Sequence, residues 1–305
     1  MKKKRFLPLL LGLVLLMACS NDSDNTPPPD NNSNSNNNGN NGNNGNNNVD
    51  RSANLLGAGD SANDLLANTN FDRLVIEIGH VAGFQPTVET LANFEDFILN
   101  QSFKENIQID LLSLSSPEET TLTLQEIVDL ENDNRTAYND GTTLAIYIYF
   151  ADAPSDSDDD DEGLVTVGSV YRNTSMVIYE STIRRLASRS STITLSDLET
   201  ATLNHEFGHL FGLVNLGTDP VNSHEDLDAP NHCNVQGCLM RAEIEFGTVS
   251  RSAQASSKEG ILQSVCDLSG NSLVRRLESR TGRGLAIIPV LDDECVLDLQ
   301  NNGGR

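Results

Sequence analysis

The chain has 305 residues, 37% apolar and 5% aromatic, with no tryptophan and a formal charge of −24. That length allows one large domain or two small ones, with enough residues for a sizeable core. The charge argues against nucleic acid or an anionic membrane surface as partner, since both need clustered cations. The composition also excludes a multi-span membrane protein.

Met1 to Arg5 carries four cations, and Phe6 to Ala18 is almost wholly apolar. This is the layout of a secretory signal, and the run is too short for a spanning helix. Leu16-Met17-Ala18-Cys19 resembles the lipobox of bacterial lipoproteins. The resemblance implies that residues 1–18 are a signal peptide, that Cys19 becomes a lipidated (palmitate-bearing) N-terminus, and that the protein is lipid-anchored in the bacterial cell envelope, on the periplasmic or the surface face of the outer membrane. Residues 21–48 are an Asn/Gly/Ser tract with no apolar side chain larger than proline. Nothing there offsets the entropy of ordering the backbone, so residues 19–50 read as a disordered tether. Residues 51–70 form a lead-in, and the domain is expected over 71–305.

Leu74 to Ile78 reads as a strand, Pro86 to Phe103 as a helix, and Ile107 to Leu112 as a second strand. Thr123 to Tyr138 reads as another helix, and Leu144 to Phe150 is a β-rich run suited to a buried strand. Alternating strands and helices imply a mixed sheet with helices against it. His80, at the end of the first strand, reads as structural. Asp152 to Glu162 is an acidic loop that could bind calcium but lacks a spaced ligand pattern, so a solvated charge run is the stronger reading. Val165 to Val170 and Met176 to Tyr179 resume as short strands. Thr194 or Ser196 can cap a helix from about Asp197 to Leu213, with Glu199 in its first turn.

That helix contains His205-Glu206-Phe207-Gly208-His209. Histidines four apart share a helix face and can reach one tetrahedral zinc, with Glu206 placed to act as general base. Leu203, Phe207, Leu210 and Phe211 would lock the helix into the core. Gly212 follows, suited to a left-handed residue that ends the helix. Downstream, residues 232–240 read HCNVQGCLM.

These residues resemble the metzincin zinc metallopeptidases, and the spacing of His232, Cys233, Cys238 and Met240 resembles that of the archaemetzincins. The whole is similar to predicted zinc metalloprotease lipoproteins of the Bacteroidetes type. The resemblance implies an α+β fold, α/β-like in its N-terminal part: a mixed twisted sheet, an active-site helix, a methionine turn at Met240 and a small C-terminal subdomain. It implies one catalytic zinc, held by His205, His209 and a third ligand, with Glu206 catalytic. The motif's third position holds Asn215 instead of histidine, so His232, displaced by an insertion, competes with His224 and with Asn215 itself. The family's second cysteine pair is also missing. The remaining cysteines are Cys266 and Cys295, and four cysteines in an exported domain favour two disulfides, Cys233–Cys238 and Cys266–Cys295, over a four-cysteine zinc.

The expectation is therefore a monomeric, zinc-dependent endopeptidase acting on peptide or protein substrates, touching membrane only through its lipid. A surface binding lipoprotein that has lost activity is the alternative, motivated by Asn215. An extended substrate would pair with the edge strand 165–170. The acidic balance would favour basic peptides.

Overall fold

Along the strand Arg73–Val81 (β1), Leu74, Ile76 and Ile78 enter one core, while the residues between them face the other side of the sheet. The same two-residue period runs through Thr143–Phe150 (β3), where Ile146, Ile148 and Phe150 join the first core and Tyr147 and Tyr149 join a second. Both strands are therefore buried on two faces, as central parallel strands require. The structure, a computed structural model, describes residues 50–159, 164–242 and 270–305. Cys19, Cys266, the signal and nearly all of the tether lie outside the described residues.

Asn106–Leu114 (β2) pairs parallel with β1, and β3 pairs parallel with β1 on its other side. Ser175–Ile178 (β5) continues parallel from β3, and Gly168–Arg172 (β4) closes the sheet antiparallel to β5. The order is β2-β1-β3-β5-β4, which makes β4 an edge strand. A five-stranded, mostly parallel sheet packed by helices is the α+β architecture expected.

Residues 51–70 belong to the packed fold. They carry the short helix Ala62–Leu66 (α1), whose Leu65 and Leu66 are fully buried. Val88–Gln101 (α2) starts at the cap Thr87, and Leu124–Asn134 (α3) starts at Thr123 with a reciprocal bond from Glu126. Helix α2 lies on the first core, where Phe94 meets Phe207 edge-on at 5.0 Å. Helix α3 covers the second core through Ile127 and Val128.

Glu180–Ala187 (α4) precedes Leu195–Leu210 (α5), which is capped by Thr194, with Asp197 bonding back to it. After α5 come the two-stranded ribbon Glu225–Asp226 (β6) and Ala229–Cys233 (β7), then Gly270–Gly282 (α6) and Asp293–Asn301 (α7).

Candidate metal centre

From Ser196 to Leu210, α5 has only one residue that is not buried, Asp197. Leu198, Leu203, Phe207 and Leu210 face the sheet core, so the polar residues between them are held in a dry interior. Gly212 adopts φ +77°, and a side chain there would meet Ala62 and Thr218 at 2.8 Å. Glycine is thus required where the helix stops and the chain reverses.

His205 and His209 face each other one turn apart, their Nε2 atoms 3.2 Å from one another. The third imidazole in the group is His232, on β7. Ring centroids are 4.9 Å apart for His205–His209 and 5.3 Å for each pair with His232, and one donor atom from each residue lies within 4.8 Å of the others. All three are buried. Burial lowers all three pKa values, to about 3 for His205, and neighbouring imidazoles reinforce the shift at His205 and His209, so the cluster is neutral near pH 7. His205 donates Nδ1–H to Leu239 O at 2.8 Å, and His232 donates Nδ1–H to Pro230 O at 2.9 Å. Each bond leaves the Nε2 lone pair turned to the cluster, as a metal ligand requires.

The donor set fits zinc. Tetrahedral coordination with Zn–N near 2.0–2.1 Å needs nitrogens roughly 3.3 Å apart, which the His205–His209 separation matches. Three protein nitrogens also leave one of the four tetrahedral positions open.

Glu206 is fully buried beside this group. A Cβ on Gly168 would come within 2.8 Å of its Cγ and 3.0 Å of Oε1, so Gly168 lets β4 lie directly against the carboxylate. Gly208, between the two helix histidines, would place a Cβ only 2.3 Å from Met240 Sδ. Met240 therefore packs against α5 at its glycine, and it is fully buried.

Neither competitor for the third position reaches the triad. Asn215, at φ +66°, donates its amide to Glu225. His224 is buried 2.7 Å from Asp298 Oδ2, with Nδ1 3.4 Å from Cys233 Sγ. It belongs to a second cluster, in which single donor atoms of His224, Cys233, Asp292 and Cys295 lie within 4.8 Å of one another. Cys238 adjoins it, 3.5 Å from Cys295 Sγ to Sγ.

The expected Cys233–Cys238 disulfide is not formed. Cys233, Cys238 and Cys295 are free thiols that turn toward a common centre and bond each other, His224 and Asp292 instead. Cys295 is likewise free, and its expected partner Cys266 lies outside the described residues. Hydrogen bonds from Cys233 and Cys295 push the Cys238 thiol pKa down, and bonding within the trio raises those of Cys233 and Cys295. Asp292 and Asp298 carried no spacing signal in the sequence. They reach the cluster only because α7 packs there, with Asp292 capping α7 through Cys295 N–H at 2.8 Å.

His80 stays apart from both clusters, with Nδ1 3.2 Å from Val81 O. In the acidic loop, Asp158 accepts Thr166 N–H at 2.7 Å, and residues 160–163 lie outside the described residues. Among the described residues, no group of metal-binding side chains forms there.

No family model matches the chain, and no curated protein matches it. Among solved structures, it is similar to the crystal structure of archaemetzincin from Methanopyrus kandleri, at 14% identity and a TM-score of 0.43, over 76% of this chain and 96% of that one.

Proposed function

We propose that the chain is a zinc-dependent endopeptidase, held in the bacterial envelope by lipid on Cys19. The observation that carries the catalytic reading is the triad of neutral, buried imidazoles, two on α5 and one on β7, beside the buried Glu206. Zinc, when bound, polarises a carbonyl oxygen and acidifies water at its open position. His205 and His232 are held by backbone carbonyls so that their Nε2 atoms converge with His209. Glu206 takes the proton of the attacking water and returns it to the leaving amine nitrogen. Edge strand β4, resting on Glu206 through Gly168, offers its backbone to an extended substrate. The inactive-scaffold reading was motivated by Asn215, and the His232 imidazole beside His205 and His209 supports the active one instead. The cluster of His224, Asp292 and thiols has the donors of a structural zinc site.

The test is casein cleavage by the purified full chain loaded with zinc. Glu206→Gln should lower the rate by about 10²–10⁴ while retaining zinc at the triad. Unchanged cleavage would refute the mechanism. Metabolic labelling with palmitate tests the anchor, since Cys19→Ser should abolish incorporation.

A further inference from the structure

Five of the chain's 20 basic residues line one cleft of about 440 Å³: Arg241, Arg275, Arg276, Arg280 and Arg283. Among the described residues that line it, none is a carboxylate. Among the described residues, no acid forms an ion pair with Arg241, Arg275, Arg280 or Arg283. The bonds they do make are to backbone: Arg241 donates to Asn234 O and Arg280 to Ala286 O, each at 2.8 Å. Such bonds orient guanidinium groups without neutralising them.

The pattern has a helical origin. Ser272, Arg275, Arg276, Ser279, Arg280 and Arg283 recur three or four residues apart, forming one stripe along α6 and one residue beyond it. Leu273 and Leu277 hold a different face of α6 in the core. Like charges at these spacings destabilise a helix. An anion in the cleft would remove that repulsion, and arginine's planar fork suits carboxylates.

The cleft also adjoins the metal centre. Arg241 and Arg276 border a small void that reaches His205 and Leu239, and Arg276 donates to Cys238 O, two residues before Met240. The triad thus lies between β4, at Glu206, and the arginine cleft, at His205.

The geometry points to a specificity pocket: the cleft receives acidic side chains of the substrate peptide. This rests on the peptidase reading above. A small concave cleft suits a few side chains, whereas the overall charge of −24 repels a long polyanion at distance. The net charge favoured basic peptides, and the cleft reverses that sign locally.

Two measurements separate the pocket from the peptidase. First, a fluorescein-labelled Glu-rich peptide and its Gln and Lys counterparts are titrated against the metal-free full chain, followed by anisotropy. The Glu peptide should bind at least about tenfold more tightly, weakening as salt rises. Arg275→Glu/Arg283→Glu should abolish that preference, Arg73→Glu should retain it, and circular dichroism checks the fold of each. Equal binding of the Glu and Gln peptides, or binding unchanged by the double substitution, overturns the pocket. So does a preference for single-stranded DNA or anionic vesicles over the Glu peptide. Second, zinc-loaded chain is given a randomised peptide library. Enrichment of Asp or Glu at one position beside the cleaved bond supports the pocket, and cleavage without it overturns the pocket while the peptidase stands. Selective binding with no cleavage at all keeps the anion cleft and overturns the peptidase.

Discussion

His232 and Cys233 are consecutive residues of one strand, yet they enter different clusters. Side chains alternate across a strand, so β7 sends His232 to the imidazole triad and Cys233 to the thiols, His224 and Asp292. The triad joins two histidines of α5 to one of β7 and is neutral. The other cluster mixes sulfur, imidazole and carboxylate donors from separate segments. Met240 joins the two, packing its sulfur on Gly208 while its N–H meets Cys238 Sγ at 3.4 Å and its carbonyl accepts Cys233 N–H at 2.8 Å. Histidine alone does not mark a catalytic metal site. What surrounds the imidazole, and whether a fourth position stays open, decides its use.

The largest effects should come from exchanging the histidines' fates. His232→Ala should strip zinc from the triad and lower cleavage by about 10³ or more, whereas His224→Ala should leave triad zinc in place. If His224→Ala removes cleavage and His232→Ala does not, the assignment is reversed. Metal analysis beside a casein assay reads both. Cys295→Ser should act on stability instead, lowering the melting temperature while triad zinc persists. Denatured, metal-free protein should show Cys233, Cys238 and Cys295 all open to thiol reagents without prior reduction.

Gly208→Ala tests the wall between the clusters. Its methyl collides with Met240, and overpacking of this kind costs about 1–3 kcal/mol, read by denaturant unfolding.

Glu180 bears on the mounting of α5. It is buried beside Glu199, whose carboxylate accepts Thr87 N–H at 3.0 Å and Thr90 Oγ–H at 2.5 Å. Burial, then the Glu199 charge, pushes the Glu180 pKa up to about 10 against the pull of Arg184 at 2.6 Å. The folded state therefore holds a proton that the unfolded chain releases near pH 4.5. Stability from this group is complete below that pH and declines as pH rises toward 10. Glu180→Gln should flatten the decline of melting temperature between pH 5 and pH 9. The smallest effect is expected of Asn215→Ala, about 1 kcal/mol from a left-handed residue and one lost hydrogen bond, with triad zinc unchanged.

Much of this was legible in the sequence because local patterns carried it. β1, β3 and α5 declare themselves by period, capping residues and the His205–His209 spacing, and Gly212 ends α5 as its position suggests. His232 was one of three open choices until β7 folded back beneath α5. The thiol cluster was harder, because Cys295 arrives from a helix 57 residues beyond Cys238. Proximity in the chain suggested a bridge that proximity in space does not form. The arginine cleft was hidden by arithmetic, since net charge averages over a surface and a pocket does not.

The lead-in has a mechanical consequence. Asn54 gives its amide to Asn139 Oδ1, Ala145 O and Thr174 Oγ1, and Asn173 returns bonds to Ala53 O and Ser61. Gly59, at φ +83°, would collide with Leu216 if it bore a side chain, so the lead-in presses on the turn that follows α5. This segment acts as a strap, buckled to β3 and to the turn between β4 and β5 and drawn across the exit of α5. A protease that trimmed the chain past residue 60 would unbuckle it, and amide exchange would quicken first in the turn around Leu216, before any ligand of the triad is touched.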